Sequence, residues 1–154
     1  MLRCDMARQF DIHFQSLPAS EYYGTKPFTF GQTRSLGIAG LQKLVNLFLK
    51  YLMTPIGTNP LDLDEGTEVP GLIGSNVNVD DAKEILVLAV EKTVGAITAR
   101  QSMQPPPDDE MLAGATVTDF ISIPALQGFS AQIYIRNVEG AELTFLLPAL
   151  TGGL

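Results

Sequence analysis

Few residues in this chain could carry chemistry, and their spacing matches none of the common catalytic designs. The densest group is Asp62, Asp64, Glu65 and Glu68. It lies in and just after the block Ile56-Gly57-Thr58-Asn59-Pro60-Leu61-Asp62-Leu63-Asp64-Glu65-Gly66-Thr67. Alternating carboxylates followed by glycine invite a calcium loop. The register is wrong for an EF-hand, because the glycine comes one place too early and the twelfth position is Ile73 rather than Glu. A solvated acidic turn is the better reading. His13 is the only histidine, which leaves a zinc site without a second imidazole. Cys4 and His13 would make a dyad only in the part of the chain with the weakest periodicity. No Gly-rich phosphate loop stands between a strand and a helix.

The elements that must position these residues are clearer than the residues themselves. Residues 38–53 carry Ile38, Leu41, Val45, Phe48, Leu49 and Leu52 at helical spacing, with Leu44 and Leu47 widening the stripe. Only Gln42, Lys43, Asn46 and Lys50 mark a narrow wet face, so this helix is expected to be buried on more than one side. Thr54-Pro55 ends it, because the residue before proline is pushed out of the helical region. A second helix is expected from Val79 to about Gln101. Asn78 caps it, Asp81 makes a weak capping box, and Asp80, Asp81 and Glu84 suit the dipole of its first turn. Its inner face is Ala82, Ile85, Leu86, Ala89, Thr93 and Ile97.

Three strands follow, at 116–123, 129–136 and 142–147. Phe129, Ala131, Ile133 and Ile135 alternate with Ser130, Gln132, Tyr134 and Arg136, and Leu143, Phe145 and Leu147 repeat the pattern. Short connections predict an antiparallel meander with one apolar face against the helices. The fold class is therefore α+β: two main helices packed on a small antiparallel β-sheet, with an extended N-terminal arm. The expected organisation is an arm at 1–33, a domain at 34–147 and a tail at 148–154. Leu41, Val45, Phe48, Ile85, Ala89, Ile133 and Phe145 are expected to meet in one core. The arm has turn signals at Pro18, Gly24, Pro27 and Gly31, one short helix near residues 5–14, and aromatics that call for a surface to lie on. Residues 105–110 begin with three prolines and read as an extended, stiff linker.

Composition limits the function classes. The 154 residues carry a formal charge of −7, and 45% are hydrophobic. Residues 1–53 hold six Lys/Arg against three Asp/Glu, and residues 54–154 hold four against fourteen. The acidic part should repel nucleic acid, whose affinity comes mainly from neutralised phosphates. The first helix is too polar to span a membrane. Residues 1–14 lack the apolar core of a secretory leader. The single Cys4 can form no internal disulfide, as suits a reducing compartment.

One arrangement points to a family. Arg34-Ser35-Leu36-Gly37 leads into the apolar helix. Then come Thr54, Gly57, Pro60, Asp62 and Gly66, spaced as T-x-x-G-x-x-P-x-D-x-x-x-G, and Gly71-Leu72-Ile73-Gly74 closes the block. A second long helix and a small sheet complete the order. Over residues 34–147 this resembles the wedge protein of contractile phage baseplates, a family shared with a type VI secretion baseplate subunit. The resemblance implies a structural protein rather than an enzyme, with no cofactor or metal. Its partners would be other baseplate wedge proteins, the tail sheath protein and the tail tube or hub. It would reside in the virion, assembled in the host cytoplasm, joining baseplate to sheath and templating the first sheath ring by strand addition.

The expected interface residues are Phe28, Phe30, Arg34, Gly57, Asn59, Pro60, Asp62, Asp64, Gly66, Arg100, Pro105, Glu142, Thr144 and Leu146. The edge candidates are the strand at 142–147 and the aromatic arm around 27–30. One departure stands out. Many family members end the second helix with Glu-Pro-Arg, a motif that contacts the neighbouring wedge bundle, whereas residues 100–110 here contain none. Two other readings remain: a binding module of a different large assembly, of the type VI secretion kind, and a glycosidase, which the family's historical "lysozyme-like" label suggests. The glycosidase would need two carboxylates across a cleft, and the chain has no Trp to stack a sugar.

Overall fold

The computed structural model describes residues 11–12, 37–72, 75, 77–123 and 128–150. Most of the expected arm, including Phe28 and Phe30, Arg34 at the start of the expected domain, and the end of the tail lie outside them. Asp11–Ile12 form strand β1, in place of the short helix expected there. β1 pairs antiparallel with β2, Gly37–Ile38. Ile38 is thus the end of a strand rather than the start of the first helix. Gly40 takes φ +63, a left-handed conformation that glycine adopts without strain, and separates strand from helix.

The apolar stripe folds as α1, Gly40–Leu52. Its N-cap, Ala39, has no side chain able to accept a hydrogen bond. Glu110, far along the chain, takes that role. Its Oε1 accepts from the Gly40 N–H at 3.2 Å and its Oε2 from Lys43 Nζ at 2.7 Å. A carboxylate there satisfies an orphan donor and complements the positive end of the helix. Glu110 is only 3% exposed. The expected wet face of α1 is corrected in part: Lys50 is exposed as expected, and the other three positions are not. Gln42 and Asn46 are buried and hydrogen-bonded to each other at 3.1 Å, and Lys43 is ion-paired. At the start of the helix, the turn that carries Glu110 folds back against Gly40 and Lys43.

After α1, the chain loops through 53–68 into a single unanticipated turn, α2 (Val69–Leu72), whose Val69 and Leu72 are buried. α3, Val79–Met103, begins as expected: Asn78 Oδ1 accepts from the N–H groups of Asp80 and Asp81 at 2.8 and 3.1 Å. The stiff linker is corrected as well. It contains a 3-10 turn, Asp108–Glu110, and is held by side chains on both flanks. Gln101 donates to the Glu110 carbonyl at 3.0 Å and accepts from the Leu112 N–H at 2.9 Å. Asn137 Nδ2 donates to the Asp109 carbonyl at 2.8 Å.

The sheet is β3 (Leu112–Ile123), β4 (Gly128–Asn137) and β5 (Glu142–Leu150), antiparallel in the order β3-β4-β5. The meander is as expected, but β3 starts four residues earlier, and β5 continues into the segment assigned to the tail. α3 packs on β3, and α1 packs against α3 and β4. Val45, Phe48, Ala89, Ile133 and Phe145 lie in one buried cluster, with Leu41 and Ile85 half-buried at its margin. Phe48 meets Phe145 edge to face, ring centroids 6.4 Å apart. Replacing Glu110 by Gln should lower the unfolding free energy by about 1.5–3 kcal/mol, the range for hydrogen bonds to charged groups. In urea titrations, the exposed Asp108→Asn variant should unfold like the parent.

Candidate protein interface

β5 is an outer strand of the sheet, and hydrogen-bond alternation determines what its free side offers. The Asn137 N–H donates to the Ala141 carbonyl at 2.9 Å across the β4–β5 turn. In an antiparallel ladder, opposed residues alternate between exchanging both bonds and exchanging none. The β4–β5 register runs unbroken from Arg136↔Glu142 to Gly128↔Leu150. Leu143, Phe145 and Leu147 therefore turn their backbone groups toward β4. Glu142, Thr144 and Leu146 turn theirs away, where β5 has no neighbouring strand among the described residues. These three side chains are also exposed, Leu146 by 61%. Pro148, opposite Ser130, falls in the same outward set, where a missing N–H costs the ladder nothing.

The other outer strand is different. β3 departs from its register between Leu112 and Gly114 and again between Val117 and Asp119. Such bulges bend and twist an edge so that a further strand pairs poorly. The regular edge of the sheet is β5. Beside it, the Tyr134 hydroxyl donates to the Glu142 carboxylate across the exposed face.

The loop that carries most of the other expected residues is closed at its base. Thr67 N–H donates to the Thr54 carbonyl at 2.8 Å, its Oγ1 to the Leu52 carbonyl at 2.5 Å, and Ile56 N–H to the Thr67 carbonyl at 3.3 Å. Gly66 sits at φ +104, where a Cβ would come within 2.4 Å of the Thr54 carbonyl oxygen, so only glycine closes the loop this tightly. Asn59 accepts from the Leu61 N–H at 3.0 Å and donates to Glu65. Asp62 accepts from the Asp64 N–H at 3.1 Å. The hydrogen bonding expected of Asp62 is thus internal turn chemistry, with the rest of both carboxylates open to solvent.

A cleft of about 610 Å³ separates this loop from α3. Asn59, Asp62, Asp64 and Gly66 line one bank and Arg100 the other. Arg100 Nη1 donates to the Tyr51 hydroxyl at 3.2 Å. The fold therefore gathers these five expected residues, with Gly57 and Pro60 in the same loop. Pro105 is exposed in the linker after α3, and Glu142, Thr144 and Leu146 form the separate β5 edge. Sequence reasoning passed over Leu61, Leu63 and Met103, which are 94%, 65% and 83% exposed. The signal was present: leucines alternate with aspartates in a loop bounded by glycines.

No group of three or more His, Cys, Asp or Glu side chains among the described residues is placed to hold a metal ion. No helix among them is long and apolar enough to cross a membrane. No family model matches the chain, and no curated protein matches it significantly.

The Tyr134–Glu142 contact has a testable consequence. The hydrogen bond to Glu142, followed by a small desolvation and the carboxylate's charge, pushes the Tyr134 hydroxyl above the ordinary tyrosine range. A raised folded-state value means that the contribution to stability is complete below the ordinary tyrosine pKa and fades as pH rises through the folded one. Removing the charge with Glu142→Gln should move the Tyr134 titration back down. The ultraviolet difference between each protein and its Tyr134→Phe counterpart measures this.

Proposed function

We propose that this chain is a structural subunit of a contractile phage tail baseplate, a wedge protein that joins baseplate to tail sheath and templates the first sheath ring. The observation that carries the reading is the regular, outward-facing edge of β5, which presents Glu142, Thr144 and Leu146 to an incoming strand. Backbone bonds along such an edge supply affinity, and alternate side chains supply register. An open edge is otherwise an aggregation hazard, and proteins usually blunt it. Here the β3 edge is bulged while β5 is left regular. The order of motifs over residues 34–147 supports the same reading, with wedge proteins and sheath as partners and the virion as location.

The test uses proline at an outward position. Thr144→Pro removes an N–H that the β4–β5 ladder does not use, just as Pro148 already does four residues along the strand. The variant should fold with near-parent stability and enter baseplates, and sheath should fail to polymerise on them. Normal-length sheaths on particles carrying it, counted by electron microscopy, would contradict the reading.

A further inference from the structure

We infer that the 54–68 loop is a second docking surface, with Leu61 and Leu63 as its anchors, for a protein partner offering an amphipathic helix whose apolar face is flanked by Lys or Arg. Single exposed leucines on a protein surface need no explanation, whereas grouped ones do. Ile56, Leu61 and Leu63 are all large, apolar and exposed within one loop.

Their exposure is built into the fold. The bonds between Leu52, Thr54, Ile56 and Thr67, and the glycine-only position at Gly66, close the loop on itself. Asn59 and Asp62 tie its interior turns. A loop ordered in advance holds its leucines out without the entropy cost that a flexible segment would meet on binding.

Charge selects the kind of partner. The loop carries Asp62, Asp64, Glu65 and Glu68 and no Lys or Arg. Exposed leucines among carboxylates are repelled by an anionic lipid surface. They are matched by an amphipathic helix with an apolar face and basic flanks, where charge steers the encounter and the side chains provide the hold. This docking surface is independent of the β5 edge and of which assembly takes up the chain.

The experiment uses the full chain at 150 mM salt, with a fluorescent amphipathic helical peptide of Leu and Lys as probe. Its controls are the same peptide with Glu in place of Lys, and vesicles of phosphatidylcholine with and without phosphatidylserine. The Leu/Lys peptide should bind. The double variant Leu61→Ser, Leu63→Ser, which keeps every charge, should weaken that binding at least tenfold. Thr144→Pro should bind as the parent does, so failure here leaves the edge-strand reading standing, and failure of that reading leaves this one. No binding of the Leu/Lys peptide, equal binding by the double variant, equal binding of the Glu peptide, or leucine-dependent binding to vesicles would each overturn the proposal. Leucine-dependent self-association in sedimentation equilibrium would overturn it too, by making a second copy the occupant.

Discussion

The fold is organised around one buried carboxylate. Glu110 reaches back across 70 residues of sequence to supply the cap that Ala39 cannot, and holds Lys43 in the same contact. Its own backbone carbonyl is gripped by Gln101 from the end of α3, and the neighbouring Asp109 carbonyl by Asn137 from the end of β4. The start of α1, the end of α3 and the sheet thus meet at one short turn. A buried charge is tolerable only with such partners. The polar junction sets the orientation that a cluster of interchangeable leucines, isoleucines and valines would leave loose.

With that junction holding the helices to one face of the sheet, the features left over are the ones offered outward. β3 is packed against α3 and bulged along its register, whereas β5 keeps an unbroken register with alternate backbone groups turned to a side where no strand lies among the described residues. At the far side of α1, the closed loop sets leucines and carboxylates outside the core. The two features depend on different elements. The edge strand and the loop can therefore be altered separately.

Much of this was legible in the sequence because it depends on local rules. Asn78 capping α3, the alternation through 129–136, the meander and the glycine-punctuated loop are each read from a few adjacent residues. What was not legible is non-local. Gln42 and Asn46 look like a solvent face because a helical wheel cannot know which polar positions the rest of the fold buries. Glu110 looks like one more acid after a proline run because its partners lie 67 and 70 residues away. β5 was anticipated as an edge offering Glu142, Thr144 and Leu146, but that the backbone groups of these residues also turn away from β4 emerges only from the register and the turn bond at Asn137. Leu61 and Leu63 escaped notice because attention in a loop goes to its charged and turn-forming residues.

The central claim is that β5 keeps an unused row of backbone donors at Glu142, Thr144 and Leu146. Amide hydrogen exchange of the free, full-length protein tests it residue by residue. The account predicts rapid exchange at Thr144 and Leu146 interleaved with slow exchange at Leu143, Phe145 and Leu147. Uniformly slow exchange along the strand in the free protein would contradict it, because the edge would then already be paired.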